Sequence, residues 1–146
     1  MRRMSTNHKS ESVVDEITRN CLVTRTRRLS RLITNIYDQA LRSHGVNAPQ
    51  FSLLVMIAKL GSASRADIGR ANYQDRSTLT RNLALLLAEG WDDELETDGG
   101  RSRPISLSAK GRSLLAAALP AWRQAQSDAQ QLIGKDAAKN IVGVVD

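Results

Sequence analysis

Residues 64 to 83 read S-R-A-D-I-G-R-A-N-Y-Q-D-R-S-T-L-T-R-N-L, and after a leucine run and an acidic stretch residues 98 to 110 read D-G-G-R-S-R-P-I-S-L-S-A-K. Ser64 is a good helix N-cap, and Asp67 three residues on completes a capping-box-like pair for a short helix through about Ala71. Asp75 can cap a second helix, in which Leu79, Leu83, Leu86 and Leu87 keep helical spacing up to Gly90. The turn between them is Asn72-Tyr73-Gln74, where Asn72 is expected to take the left-handed backbone. Asp98-Gly99-Gly100 marks a tight turn inside a hairpin read from Trp91 to Leu107, and Arg101 and Arg103 fall at strand spacing on one side of its ribbon.

Two capped helices at a tight turn, followed by a hairpin with an arginine tip, have the layout of a winged helix-turn-helix. Ile68 and Leu79 are spaced to face each other across the turn and fix the angle between the helices. The second helix then projects Arg76, Ser77, Thr78, Thr80, Arg81 and Asn82 beside its leucine face. Hydroxyls and the free N–H groups of a helix start suit phosphate oxygens, while Arg and Asn can make paired hydrogen bonds to guanine and adenine edges. One such helix alone reads as an ordinary amphipathic helix with a solvated polar face. The tandem order of the elements turns the reading toward double-stranded DNA.

Composition agrees with one compact, mainly helical domain. The chain has 146 residues, 41% of them hydrophobic and only 3% aromatic, so its core is aliphatic. Lysine and arginine number 21 against 15 acids, a net charge of +6 that suits a polyanionic partner. No apolar run approaches the roughly 18 residues of a membrane span. The start, M-R-R-M-S-T-N-H-K-S-E-S, has no hydrophobic stretch behind its basic residues and reads as a frayed tail over residues 1–12. The single cysteine, Cys21, agrees with a reducing cytoplasm.

Outside the central lobe, 49–107, the pattern predicts long helices. From about Val13 to Ser43, apolar positions including Val14, Ile17, Leu22, Leu29, Leu32, Ile36 and Leu41 keep a helical period. At about 1.5 Å per residue such a helix outspans a small domain, so part of its stripe is expected to face another subunit. Gly45 ends it, and Pro49 suits the first turn of a helix over Gln50 to Leu60. Ser108 can cap a further helix carrying Leu114, Leu119, Trp122, Ala125, Ala129 and Leu132, with Pro120 expected to bend it. Gly134 allows a break before a last helix over Ala137 to Val145.

Six acids, Glu89, Asp92, Asp93, Glu94, Glu96 and Asp98, crowd the first half of the hairpin. They are expected to line its stem away from the duplex and to pair with arginines such as Arg65 or Arg103. No glycine-rich phosphate loop, metal-spaced His/Cys cluster or nucleophile motif is present, so enzyme, metal and cofactor readings are set aside.

From Val13 to the C-terminus the chain resembles the MarR family of bacterial transcriptional regulators. The stretches that carry the resemblance are Y-D-Q-A-L-R-S-H-G-V-N-A-P-Q-F-S-L-L (37–54), D-R-S-T-L-T-R-N-L (75–83) and R-S-R-P-I-S-L-S-A-K-G-R-S-L-L (101–115). The resemblance implies a cytoplasmic homodimer, built through 13–48 and 108–146, that binds a pseudo-palindromic operator, usually as a repressor. Arg76, Ser77, Thr78, Thr80, Arg81 and Asn82 become recognition-helix contacts, Arg101, Ser102 and Arg103 wing contacts, and Arg65 a phosphate clamp. It also implies release by a small phenolic or lipophilic ligand, with Tyr37, His44, Phe51 and Trp122 as candidate pocket residues, although core packing is the commoner role for such side chains. Some members of the family sense peroxide through a first-helix cysteine, which makes Cys21 a redox candidate. Tyr37 lies about four turns from it, too far to hydrogen-bond the thiol, and a buried inert cysteine is the commoner case. Where the family has a Leu-Gly-Leu-like turn this chain has Asn72-Tyr73-Gln74, and Trp91-Asp92-Asp93-Glu94 stands where the family has Leu-Val and polar residues. The alternative reading is therefore a winged-helix dimer that has lost its operator and serves as a ligand- or protein-interaction module.

Overall fold

The computed structural model describes residues 5–96 and 103–145. They form α1 (Ser5–Asn20), α2 (Leu22–Leu41), a single 3-10 turn (Arg42–His44), α3 (Ala48–Leu60), β1 (Ser62–Ala63), α4 (Arg65–Ala71), α5 (Arg76–Ala88), β2 (Asp92–Glu94), β3 (Ile105–Leu107), α6 (Ala109–Ile133) and α7 (Lys135–Val144). The chain divides into two units, residues 1–35 and 36–146.

In the first unit the single helix expected from about residue 13 is two helices, and it starts earlier. α1 already begins at Ser5, within the stretch read as a tail. Once a helix is nucleated each added residue gains a hydrogen bond, so it can extend past the last apolar position, where periodicity has nothing left to report. The interruption at Cys21 is slight. Cys21 N–H donates to the Ile17 carbonyl (2.8 Å), and Arg25 N–H to the Cys21 carbonyl (3.2 Å). The Arg25 guanidinium also donates to the carbonyls of Thr18 and Arg19 (3.1 and 3.0 Å), acceptors in the last turn of α1. Val13, Val14, Ile17, Leu22, Val23 and Leu32 are 49–78% exposed, so this unit does not cover its own apolar stripe.

The second unit holds the core. Asn47 caps α3 by a reciprocal box: its side chain accepts from Gln50 N–H (2.9 Å) while the Gln50 side chain accepts from Asn47 N–H (3.0 Å), and Pro49 sits in the first turn. Asp38 of α2 accepts the Ala48 N–H (2.6 Å), so another donor at that helix start is satisfied. Leu53, Leu54 and Ile57 of α3 meet Ile68 of α4, Leu79, Leu83 and Leu86 of α5, and Ile105 of β3, all essentially solvent-free. Burying each such side chain contributes on the order of 1.5–3 kcal/mol, which is why these short helices hold without long propensity runs.

The hairpin is part of a three-stranded antiparallel sheet of order β1-β3-β2. Asp92, Asp93 and Glu94 pair with Leu107, Ser106 and Ile105, and on the other side of β3 Ser62 and Ala63 pair with Ser106 and Ile105. β1 has two residues, too short for an alternation to show in the sequence. Ser108 caps α6, accepting from Gly111 N–H (3.0 Å) and donating to the Gly90 carbonyl (2.6 Å), while its own N–H reaches the Trp91 carbonyl (2.9 Å). α6 continues as one helix through Pro120. α7 follows directly after Gly134, whose φ is 88°, and starts at Lys135.

Candidate nucleic-acid interface

The geometry of α5 follows from its cap. Asp75 accepts the Thr78 N–H (3.0 Å) and takes a long hydrogen bond from the Ser77 hydroxyl (3.5 Å). Hydrogen bonding to Thr78, supported by Ser77 and the nearby charge of Arg81, holds its carboxyl below the usual aspartate value. A stable cap fixes where the first turn points. With Leu79, Leu83 and Leu86 buried, Arg76, Ser77, Thr80 and Arg81 are exposed, and Thr78 and Asn82 are half-buried. The Thr80 hydroxyl donates to the Arg76 carbonyl (2.8 Å), which leaves its lone pairs as acceptors.

Ser64 caps α4 as expected, accepting Asp67 N–H (3.1 Å). The Asp67 carboxylate does not close the box; it pairs with Arg70 in the next turn. The left-handed residue of the turn is Tyr73 (φ 49°) rather than Asn72, whose φ is −97°. Asn72 instead ends the helix, its N–H reaching the Ile68 carbonyl (2.9 Å) and its side chain donating to Gln74 (3.0 Å). A non-glycine residue in the left-handed position costs roughly 1–2 kcal/mol.

Glu94 ties the wing stem to α4. Its carboxylate pairs with Arg65 at the start of α4 and lies 3.8 Å from Arg103 beside the return strand. The hydrogen bond from Arg65, then the charges of Arg65 and Arg103, hold the Glu94 carboxyl below its usual value. The pairing expected of the acidic stem is thus found at Glu94. It is not found at Asp92, which is 3% exposed and whose two carboxylate oxygens have no hydrogen-bond partner. Burial, then the charge of Asp93, pushes its pKa up to about 6. β2 alternates, so Asp92 turns inward, Asp93 outward and Glu94 to the rim, and a run of like residues conceals that alternation. Arg101 and Ser102 of the wing tip lie outside the described residues.

The structure gives other duties to several ligand candidates. Phe51 is buried in the core, and Tyr37 and Trp122 pack against it. The Tyr37 hydroxyl donates to Gln126, and burial raises its pKa. His44 is half-buried in the 3-10 turn. None of these four lines the concavity of about 650 Å³ that lies along α4, the turn and the start of α5. The Cys21 thiol is half-buried and accepts a hydrogen bond from the Thr24 hydroxyl (3.3 Å), which lowers its pKa. Among the described residues no His/Cys/Asp/Glu group could hold a metal, and no helix is long and apolar enough to cross a membrane.

No family model and no curated protein matches the sequence. Solved structures do. The M. tuberculosis transcriptional regulator MosR in complex with DNA is 31% identical, with 86% of this chain and 94% of that chain covered and a TM-score of 0.74. A probable transcriptional regulator from Pseudomonas aeruginosa is 21% identical over 88% and 96% of the two chains, with a TM-score of 0.75. A mutant MarR from E. coli complexed with operator DNA is 15% identical over 88% and 94%, with a TM-score of 0.76. At the last two identities the likeness is one of fold. Fold, element order and the identity to MosR together define a winged helix-turn-helix regulator. The chain belongs to the MarR family of transcriptional regulators.

Proposed function

We propose that this protein is a cytoplasmic bacterial regulator that binds a pseudo-palindromic duplex as a homodimer, acts as a repressor and is released by a small phenolic or lipophilic ligand. The observation that carries the reading is the exposed first turn of α5, where Arg76, Ser77, Thr80 and Arg81 stand clear of a buried leucine face behind an Asp75 cap. Arginine can grip guanine O6 and N7 with two hydrogen bonds, and hydroxyls and phosphates suit each other at the same helix start. MosR, the 31% identical relative, is described in complex with DNA, which supports a DNA partner here. Arg65 and Arg103, gathered on Glu94, and the wing-tip residues Arg101 and Ser102 are proposed to reach the flanking backbone.

Exposed apolar residues support the homodimer. Val13, Val14, Ile17 and Leu22 in the N-terminal helices, and Leu132, Ile141 and Val142 in the C-terminal ones, are uncovered in the single chain. Burying them between copies would remove apolar area from water at about 25 cal/mol per Å². Tyr37, His44, Phe51 and Trp122 remain the proposed effector contacts.

The test is a DNA titration at several salt concentrations with the sequence upstream of the protein's own coding region, alongside sedimentation analysis. Operator binding predicts a steep fall of affinity with salt, and Arg81→Ala is expected to lose about 1–3 kcal/mol and to relax sequence preference. A flat salt response, or a monomer at micromolar concentration, would refute the reading.

A further inference from the structure

The wing stem holds an acid that its surroundings do nothing to accommodate. Asp92 is the first residue of β2, two positions past Gly90, where the chain leaves α5 for the hairpin. It is 3% exposed, and neither carboxylate oxygen has a hydrogen-bond partner. Its flanks are apolar: buried Trp91 precedes it, and buried Leu107 stands opposite it across the ladder. An aliphatic side chain would fill this place without a desolvation cost, whereas an ionised carboxylate taken from water with no partner is strongly unfavourable.

No neighbouring element supplies a counter-charge. β3 brings Ile105, Ser106 and Leu107, none of them charged. α5, which packs on β2, turns Leu79, Leu83 and Leu86 inward, and its charged residues Arg76 and Arg81 are exposed. Past the end of α5 the Glu89 side chain is exposed, and the Lys110 ammonium of α6 is held at the Glu89 carbonyl (2.8 Å). On β2 itself Glu94 is occupied with Arg65 and Arg103, and Asp93 adds a second negative charge beside Asp92. The stem is short as well. β2 and β3 have three residues each, and the Leu95 N–H bond to the Pro104 carbonyl (2.8 Å) extends their pairing by one rung. The smallest movement that brings the carboxylate to water is a separation of this stem from α5.

We propose that Asp92 is a proton-operated latch on the wing: protonated, it lets the stem close on α5 and present the wing to DNA, and ionised, it draws the stem toward water and loosens that contact. This rests on the DNA-binding reading and adds to it a regulation by acid. With the stem open the carboxyl titrates at its ordinary 3.8, and with it closed at about 6. Closure is therefore fully favoured below 3.8, loses ground between 3.8 and 6, and changes no further above 6. Between about pH 5 and about pH 7 the ratio of closed to open stems falls by at most about tenfold. Acidification tightens the grip on DNA.

The experiment titrates the duplex upstream of the protein's own coding region with the full chain at fixed salt, from about pH 5 to about pH 8, for wild type, Asp92→Asn and Asp92→Val. Wild-type affinity is expected to fall about fivefold more than that of either variant between about pH 5 and pH 7, and to run parallel to them above that. Other titrating groups are common to all three proteins and cancel. Asp92→Val keeps the comparison open if the asparagine amide, itself without a partner, disturbs the fold. Amide hydrogen exchange on the free proteins reads the latch without DNA. Protection of the Leu95 amide should fall in wild type over the same interval, hold in the variants, and stay below that of Ile57 in the core, since the stem opens while the core is folded. If the affinity profiles of wild type and both variants are parallel throughout, the inference is overturned and the DNA-binding reading stands. If Leu95 and Ile57 lose protection together, the carboxyl acts on the whole fold instead of the wing, which overturns the inference too. If wild type binds no duplex at any pH, the DNA-binding reading fails and the inference with it.

Discussion

Replacing Asp92 by asparagine isolates the energetic effect of one buried charge. The carboxyl is 3% exposed, its oxygens lack partners, and its pKa in the folded protein is about 6 against an ordinary 3.8. Below 3.8 the group is neutral whether the chain is folded or not, so it exerts no pH-dependent effect there. As pH rises from 3.8 to 6 the unfolded chain releases the proton and the folded chain retains it, so stability falls. Above 6 the loss is complete, a shift of about two pKa units at about 1.36 kcal/mol each, or about 3 kcal/mol at full effect. An asparagine side chain has the same shape and does not titrate. The stability difference between Asp92→Asn and wild type should therefore grow in the variant's favour by about 2 kcal/mol between about pH 4 and pH 7.5. Urea unfolding at a series of pH values and a fixed protomer concentration measures this, because other carboxylates titrate alike in both proteins and cancel. Parallel stability curves for the two proteins would refute the reasoning and imply that Asp92 is solvated.

Glu94→Gln should release Arg65 and Arg103 at a stability cost of at most about 1 kcal/mol, since the pair is partly exposed, yet weaken binding to every duplex; unchanged affinity would mean that the arginines need no orientation. Ser108→Ala removes the α6 cap and the bond to the Gly90 carbonyl, and is expected to cost about 1–2 kcal/mol in denaturant unfolding. Gly111→Ala places a methyl group against the Trp91 carbonyl and the Leu107 side chain, and should cost about 1–3 kcal/mol or more; an unchanged thermal midpoint would show that α6 can shift away. Peroxide treatment should leave DNA binding unchanged if Cys21 is inert, and a loss of binding that Cys21→Ser abolishes would show otherwise.

Most of the DNA-binding lobe was legible because its signals are local. Ser64 and Asp75 as caps, the leucine face of α5 and the hairpin strands all depend on neighbours within a turn or a strand. The parts that escaped depend on contacts made at a distance or on runs too short to show a period. β1 is two residues long and owes its strand to β3, distant in the chain. The meeting of Arg65 with Glu94 was expected of the acidic stem in general, but which acid turns to the arginine and which turns inward is set by the register of β2 on β3. Asn72 drew the left-handed assignment by residue type, while hydrogen-bond closure placed it on Tyr73. The Asn47–Gln50 box is a local signal as well, but an Asn with a Gln three residues on is common outside helix starts, and only the formed helix distinguishes it. The early start of α1 had no apolar residue to announce it.

Ser108 fastens three elements: its hydroxyl joins the Gly90 carbonyl beyond α5 to the first turn of α6, and its backbone N–H holds the Trp91 carbonyl at the foot of the hairpin. With Gly111 pressed against the Trp91 carbonyl that Ser108 also engages, α6 has no slack at this end. A twist or slide of α6 cannot be absorbed at that joint, so it is delivered as a rigid displacement to the end of α5 and the base of the wing.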